Sequence, residues 1–360
     1  MNKVKVLITD DSVVYRSQIK AALSTLDWIE VVGVASNGRL AIEKLQQTPV
    51  DLLILDLEMP EMNGLQTLQE ISNKGIKCKV LVFSSASKRG AEITMDALRL
   101  GATDFIAKPG FTEGSAMMPP NEVIRALLEP KLNAIFQDPQ GQQPKVMAHV
   151  EFSPMLWEIF NPDIVLIGSS TGGPTMLEKI FSEIKGPLRC PILITQHMPP
   201  IFTATLAERI QKLCGISCVE GKHGMDVLAN HIYMAPGDFH MTITGSKQSA
   251  KICLDQGPLV NSVRPAVDPM FDSAAKVYGQ KCLGIVLTGM GADGCVGAAK
   301  VKAAGGSILI QSEKSCVVFG MPGAVMAAGA FDKILDPPEL IRALQEKAMS
   351  FSPASLDRSA

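Results

Sequence analysis

The sequence predicts an α/β protein made of two parallel-sheet domains, and three observations carry that expectation. Short apolar runs, each delivering a polar residue, recur through both halves of the 360 residues. Segments of helical periodicity lie between the runs. One polar stretch, Gln137-Asp138-Pro139-Gln140-Gly141-Gln142-Gln143-Pro144-Lys145, contains two prolines and almost nothing apolar. It cannot join a core and predicts a flexible linker of roughly twenty residues between the domains.

In the first half, Val4-Lys5-Val6-Leu7-Ile8-Thr9 ends in Asp10 and Asp11. Residues 52–55 deliver Asp56, residues 80–83 deliver Ser84, and Phe105-Ile106-Ala107 delivers Lys108 just before Pro109. Continuous apolar runs of this length read as buried parallel strands. Ser12 predicts the cap of a helix reaching about Leu23, residues 38–47 predict another, and residues 121–128 carry the helix that closes the domain. In an open parallel sheet, chemistry gathers outside the carboxyl ends of the strands. All five polar residues are expected there. Three carboxylates together suit a hard divalent cation such as Mg²⁺, which takes oxygen ligands. A lysine and a hydroxyl beside them suit an incoming phosphoryl group. Singly, each is an ordinary loop-end charge; the ordered set is not.

From about Pro162 a second series of apolar runs begins, at 164–167, 192–194, 232–234, 284–287 and 307–310, with helices expected at 176–184 and 203–213. Residues 240–243 and 251–254 predict a hairpin within this second α/β domain. The expected boundaries are 1–125 for the first domain, 126–158 for the closing helix end and linker, 159–348 for the second domain, and 349–360 for a disordered tail.

Composition narrows the function. The formal net charge is −2, and neither half is basic, which disfavours nucleic-acid binding. Eight cysteines form no Cys-x-x-Cys pair and no zinc-finger grouping with histidine, so reduced thiols and a cytoplasmic location are expected. No apolar run is long enough for a transmembrane helix, and Met1-Asn2-Lys3 opens straight into a strand rather than a secretory segment.

The run ending at Ile167 leads into Gly168-Ser169-Ser170-Thr171-Gly172-Gly173-Pro174. A strand, a glycine-rich turn and a helix start can aim amides at an anion or present a nucleophile to an oxyanion hole. Residues 168–172 match Gly-x-Ser-x-Gly, with Ser170 at the centre. A serine needs a base. Of the histidines at 149, 197, 223, 231 and 240, only His197 directly follows a strong strand pattern, ahead of Pro199-Pro200. His149 lies at the linker edge, and the other three are expected to be solvated or locally hydrogen-bonded. Asp293, in Gly289-Met290-Gly291-Ala292-Asp293-Gly294 after another strand, completes a Ser-His-Asp set. The chain order Ser…His…Asp differs from the Ser…Asp…His order of the α/β-hydrolases.

Residues 1–125 closely resemble the receiver domain of two-component response regulators. The resemblance implies a flavodoxin-like fold with Asp56 as phosphoryl acceptor. Asp11, Asp56 and the backbone carbonyl of Glu58 would bind Mg²⁺ with support from Asp10. Ser84 would be the switch hydroxyl and Lys108 the partner of the phosphate, while Phe105 stands where a switch tyrosine often lies. Residues 160–348 resemble the catalytic domain of the chemotaxis protein-glutamate methylesterases, a doubly wound α/β domain. This second resemblance rests on Ile-Gly-Ser-Ser-Thr-Gly-Gly-Pro (167–174), Ile-Thr-Gln-His-Met-Pro (194–199), Tyr-Met-Ala-Pro-Gly-Asp-Phe-His (233–240), Arg-Pro-Ala-Val-Asp (264–268) and Leu-Thr-Gly-Met-Gly-Ala-Asp-Gly (287–294). It implies Ser170 as nucleophile, His197 as base, Asp293 as the acid that orients it, Met290 in the oxyanion loop, and Thr171 as neighbour of the nucleophile. Ser169 stands where the family often has alanine. Arg264 and Asp268 are expected to pair with each other or to contact substrate.

Together the resemblances imply phosphorylation-controlled hydrolysis of glutamate methyl esters on chemoreceptors, with release of methanol and deamidation of selected glutamines. A chemotaxis histidine kinase would donate the phosphoryl group, Mg²⁺ would serve the receiver, and ester hydrolysis would need no cofactor. A polar linker cannot transmit a rigid push, so direct packing of the receiver over the catalytic strand ends is the expected means of inhibition. Two rival readings are weaker. A phosphate-cradling module would want a P-loop lysine, which residues 168–173 lack. A degenerate scaffold would not keep all three triad positions.

Overall fold

The computed structural model describes residues 3–110, 118–136 and 154–350. The chain divides into two compact units, residues 1–138 and 139–360.

The first unit contains strands β1 (Val4–Thr9), β2 (Ile29–Ala35), β3 (Leu52–Leu55), β4 (Lys79–Ser84) and β5 (Asp104–Ala107), and helices α1 (Val13–Leu23), α2 (Gly38–Gln47), α3 (Gly64–Asn73), α4 (Lys88–Arg99) and α5 (Pro120–Phe136). All strand pairs are parallel, in the order β2-β1-β3-β4-β5. That is the flavodoxin-like order, whose switch point lies between β1 and β3. Four strands stand where the apolar runs predicted them. The fifth, β2, was missed because it is an edge strand carrying Glu30 and several half-exposed positions. The expected N-cap is present: the Ser12 side chain accepts from Tyr15 N at 3.4 Å. Helix α5 runs to Phe136, beyond the expected residue 128, so the closing helix occupies residues 126–136 of the stretch expected to hold its end and the linker. Its apolar stripe explains this, since Ile124, Leu128 and Leu132 lie one turn apart and are fully buried against the core of Val6, Ile8, Leu81 and Phe83.

The second unit adds α6 (Pro154–Ile159), β6 (Ile164–Ser169), α7 (Gly173–Glu183), β7 (Ile192–Gln196), α8 (Phe202–Cys214), β8 (Ser217–Glu220), β9 (His231–Met234), β10 (His240–Thr244) and β11 (Lys251–Asp255). It continues with α9 (Val267–Tyr278), β12 (Cys282–Val286), α10 (Cys295–Ala303), β13 (Ser307–Gln311), α11 (Gly320–Ala327), β14 (Lys333–Leu335) and α12 (Pro337–Ala348). Seven parallel strands form one sheet in the order β14-β13-β12-β6-β7-β9-β8, and β10 and β11 form the expected antiparallel hairpin. The missed strands, β8 and β14, are the two edges of the sheet. They are short, and burial on them is broken, so no continuous apolar run marks them. The chain lays β7, β8 and β9 on one side of β6 and β12, β13 and β14 on the other. The order therefore reverses beside β6, the place where doubly wound sheets open a crevice.

The stretch at 137–145, the core of the expected linker, lies outside the described residues, as does His149. Of the expected tail, Met349 bridges Leu188 and Ser350 N–H donates to Pro187 O at 3.0 Å, so these two residues are ordered; the remainder lies outside. Among the described residues no helix is long and apolar enough to cross a membrane.

Candidate active site and acidic pocket

The carboxyl ends of β12, β6 and β7 are neighbours, and their registers decide what meets there. Val286 pairs with Gly168, and Ser169 pairs with Gln196. The next residues along the two central strands, Ser170 and His197, therefore leave the sheet side by side, one strand spacing apart. The His197 N–H still donates to Ser169 O at 3.1 Å, and the Ser170 N–H donates to Thr288 O at 3.0 Å. Gly172 then turns the chain into α7 with φ of 79°, a conformation that glycine adopts without strain. A Cβ on Gly289 would lie 2.8 Å from Ser170 Cβ and 2.3 Å from Met321 Sδ, so only glycine lets the loop after β12 approach Ser170 this closely.

Ser169 and Ser170 are adjacent but differently engaged. The Ser169 hydroxyl is fully buried and donates to Gln196 Oε1 at 2.6 Å. The Gln196 amide in turn donates to Ser170 O at 2.9 Å, which ties the turn to β7. The Ser170 side chain makes no hydrogen bond among the described residues and keeps 7% exposure. Gln196 had no visible signal in the sequence beyond standing one residue before His197.

Asp293 reaches His197: Nε2 and Oδ2 are 2.7 Å apart. Asp293 is buried and His197 partly so, with side-chain exposures of 2% and 9%. The same Oδ2 accepts from Val267 N at 2.6 Å, and Oδ1 accepts from Asp268 N at 3.1 Å and Gly294 N at 3.0 Å. The first amides of α9 thus point at Asp293. The helix has no side-chain cap of its own, so Asp293 caps it from another element. Burial pushes the Asp293 carboxyl up, but the His197 and amide contacts outweigh it and hold the group below its ordinary range. With Nε2 committed to Asp293, Nδ1 is the ring nitrogen left to meet a hydroxyl.

Met290 is half-buried, and its amide makes no backbone hydrogen bond among the described residues. Thr171 is buried, and its carbonyl accepts from Thr288 Oγ1 at 2.9 Å. Arg264 and Asp268 do not pair with each other, contrary to one expectation. Arg264 donates through Nε and Nη2 to Asp238 Oδ1 at 3.0 and 2.6 Å, and through Nη1 to the carbonyls of Gln256 and Gly257. The sequence motif put Arg264 four residues from Asp268, but α9 begins between them and carries Asp268 away. Of the remaining described histidines, His231 bonds Ala229 O locally, as expected, whereas His240 bonds Pro258 O and Ala266 N and His223 accepts from Leu254 N, partners distant in sequence.

In the first unit, Asp10, Asp11 and Asp56 offer carboxylate oxygens within 4.8 Å of one another at the switch point between β1 and β3. Three hard oxygen donors in one cradle fit a divalent cation. Lys108 Nζ lies 2.8 Å from Asp10 Oδ2 and 2.9 Å from Asp56 Oδ2. Burial pushes Asp56 up to about 6, with Lys108 opposing and Asp10 adding to the rise. The Tyr15 ring covers the Lys108 ammonium at 4.8 Å. Ser84 is buried, with its hydroxyl turned to Gly90 O at 3.3 Å, and Phe105 is buried. The Glu58 carboxylate faces outward to Ser85 Oγ at 2.8 Å and Arg89 Nε at 3.8 Å.

The comparisons with known proteins divide at the same place as the units. A family model described as CheB methylesterase matches residues 165–344, and one described as response regulator receiver domain matches residues 6–114. The chain is 41% identical over 343 residues to a protein of Trichodesmium erythraeum named protein-glutamate methylesterase/protein-glutamine glutaminase, covering 93% of this chain and 96% of that protein. A protein of the same name from Thermotoga maritima is 38% identical over 334 residues, covering 92% and 95%. The crystal structure of the Thermotoga maritima CheB methylesterase catalytic domain is 41% identical, with a TM-score of 0.47, and covers 50% of this chain and 98% of that one. One family model spans half the chain, and relatives of about this identity match nearly all of it, with a receiver in front of a methylesterase domain. The chain belongs to the CheB methylesterase family.

Proposed function

We propose that this protein hydrolyses glutamate methyl esters on chemoreceptors, releasing methanol, and that its receiver domain controls the reaction through phosphorylation of Asp56. The observation that carries the reading is the largely buried His197–Asp293 pair, with Ser170 at the end of the neighbouring strand, at the switch point of the second sheet.

In this reading Ser170 is the nucleophile, because Ser169 is already bonded to Gln196. His197 takes the Ser170 proton at Nδ1 while Asp293 holds Nε2–H and stabilises the imidazolium. The serine oxygen attacks the γ-carbonyl, and the oxyanion forms beside the loop that carries Met290 and the start of α7, where amides and the helix dipole favour negative charge. The imidazolium returns its proton to the departing methoxide, giving methanol. Water then enters, is deprotonated at the same nitrogen, and releases the glutamate carboxylate and free Ser170. Glutamine has a carbonyl in the same place, so deamidation with loss of ammonia follows the same path. None of these residues is a metal ligand in the reading.

In the receiver, Asp56 is the acceptor, and Asp10, Asp11, Asp56 and the Glu58 carbonyl would hold Mg²⁺. The ion would neutralise the incoming phosphoryl oxygens and the crowded carboxylates. Lys108 already spans Asp10 and Asp56 and would follow the phosphate, and Ser84 would turn from Gly90 towards it. The donor would be a chemotaxis histidine kinase, and the proposed location is the cytoplasm, where receptors expose their methylated helices. Methanol release from membranes carrying methylated receptors, with and without a small-molecule phosphodonor, tests the reading. Failure to release methanol under both conditions would overturn it.

A further inference from the structure

The turn before α9 holds two consecutive non-glycine residues at positive φ, Asn261 at 52° and Ser262 at 64°. It is closed by a reciprocal pair, with Val260 N–H donating to Val263 O at 3.2 Å and Val263 N–H to Val260 O at 3.0 Å. Two central residues at positive φ make a tight hairpin turn, and asparagine is one of the few L-residues that tolerate it. From this turn Asn261 Nδ2 donates to two carboxylates at once, Asp293 Oδ1 at 2.9 Å and Asp268 Oδ2 at 2.9 Å.

The two acids are themselves crossed between helices. Asp293, just ahead of α10, caps α9 through Val267 N and Asp268 N. Asp268, in the first turn of α9, accepts from Gly297 N of α10 at 2.7 Å. A Cβ on Gly297 would lie 2.6 Å from Phe271 Cβ and 3.1 Å from Asp268 Cα, so glycine is what permits this close crossing. Burial pushes the Asp268 carboxyl up, and the neighbouring Asp293 charge adds to the rise, with the Gly297 amide and Asn261 opposing it. The shared Asn261 amide sits between two charges that would otherwise repel.

We propose that Asn261 and Asp268 are positioning residues of the esterase reaction, which fix the carboxylate plane of Asp293 and, through it, the imidazole of His197. The proposal rests on the triad reading above. Only Oδ2 of Asp293 touches His197, so rotation of the carboxylate would loosen the imidazole. Three donors on Oδ1 oppose that rotation: the amides of Asp268 and Gly294 and the side chain of Asn261. Asn261 is the side-chain donor of the three, delivered by a turn with two residues at positive φ.

The test uses the full-length chain and methanol release from a methylated receptor fragment. Asn261→Gly keeps the positive-φ turn without steric cost and removes only the amide. It is expected to lower kcat about tenfold, the scale of a small misplacement of a reacting group, with KM within about twofold and the melting temperature held. Asn261→Asp also tolerates the turn but adds charge near the Asp268 and Asp293 carboxylates and, beyond them, His197. An added carboxylate favours the imidazolium over the neutral base, so the acid limb of the kcat/KM profile is expected to move up by about one pH unit. Asp268→Asn in the Asn261→Asp background should move it part of the way back. Ser170→Ala serves as the control, and retained activity there would sink the triad reading itself. Loss of activity in Ser170→Ala with unchanged kcat in Asn261→Gly and an unmoved limb in Asn261→Asp would overturn the positioning role alone. A fall in kcat that tracks a fall in melting temperature, with the limb unmoved, would also overturn it and leave Asn261 a structural residue.

Discussion

Replacing Asp293 by asparagine removes a charge from a place where every neighbour donates. Oδ2 receives His197 Nε2 and Val267 N; Oδ1 receives Asn261 Nδ2, Asp268 N and Gly294 N. An amide must turn its NH₂ towards one of these sets. Facing the Oδ2 set opposes two donors and facing the Oδ1 set opposes three, so the NH₂ should replace Oδ2. His197 must then accept at Nε2 and carry its proton on Nδ1, the nitrogen that receives the Ser170 proton in the proposed reaction. A wrong tautomer of this kind costs a serine triad about 10⁴ in kcat. Asp293→Asn should therefore lower kcat by about 10³ to 10⁴, or roughly 4–5 kcal/mol at the barrier. Stability should fall as well. The start of α9 loses its anionic cap and Val267 N is left facing a donor, a cost of about 2–3 kcal/mol. For a domain of this size that lowers the melting temperature by roughly 5–10 °C. The pH dependence has a definite sign. Burial raises the Asp293 carboxyl, but its donors hold it below the ordinary value of 3.8, so the stabilisation is present above about pH 4. It is lost as pH falls through the lower folded value, and wild type and variant should converge there. Methanol release at neutral pH and thermal unfolding between pH 2 and pH 7 measure both effects. A variant within tenfold of wild-type turnover would refute the tautomer argument.

Four further outcomes are expected. Ser170→Ala should remove nearly all methanol release, whereas Ser169→Ala should lose only its bond to Gln196 and stay within about tenfold; reversed effects would make Ser169 the nucleophile. Mg²⁺ should raise the melting temperature of the receiver by relieving the crowded Asp10, Asp11 and Asp56, and Asp11→Asn should weaken that rise, with calorimetry at several Mg²⁺ concentrations as the check. Chelators should leave hydrolysis by residues 150–360 unaffected, and metal-dependent turnover by that fragment would contradict the triad reading. Deleting residues 1–145 is expected to raise basal methanol release, and Asp56→Asn to abolish the response to a phosphodonor. A fragment no more active than the unphosphorylated full chain would end the idea of restraint by the receiver.

The sequence by itself determined the two α/β units and the strand ends at which the chemistry gathers. Central parallel strands are buried on both faces, so 52–55, 164–167 and 308–310 are apolar without interruption, and the polar residues that follow each run are legible. That is why Asp56, Ser170 and His197 stand out in the sequence as residues at or just beyond strand ends. The edge strands β8 and β14 are short and only partly buried, so they carry no continuous apolar run, and β2 has its run broken by Glu30 and Gly33. Helix α5 overran its expected end because its apolar stripe, not local composition, set its length. Tertiary structure alone decided which hydroxyl is free, since Ser169 and Ser170 differ only in what Gln196 on the next strand can reach. It also decided that Asp268 turns to Gly297 while Arg264 turns to Asp238. Both are choices among partners distant in sequence, and hydrogen bonds across 25 or more positions depend on how helices cross, a property no local pattern encodes.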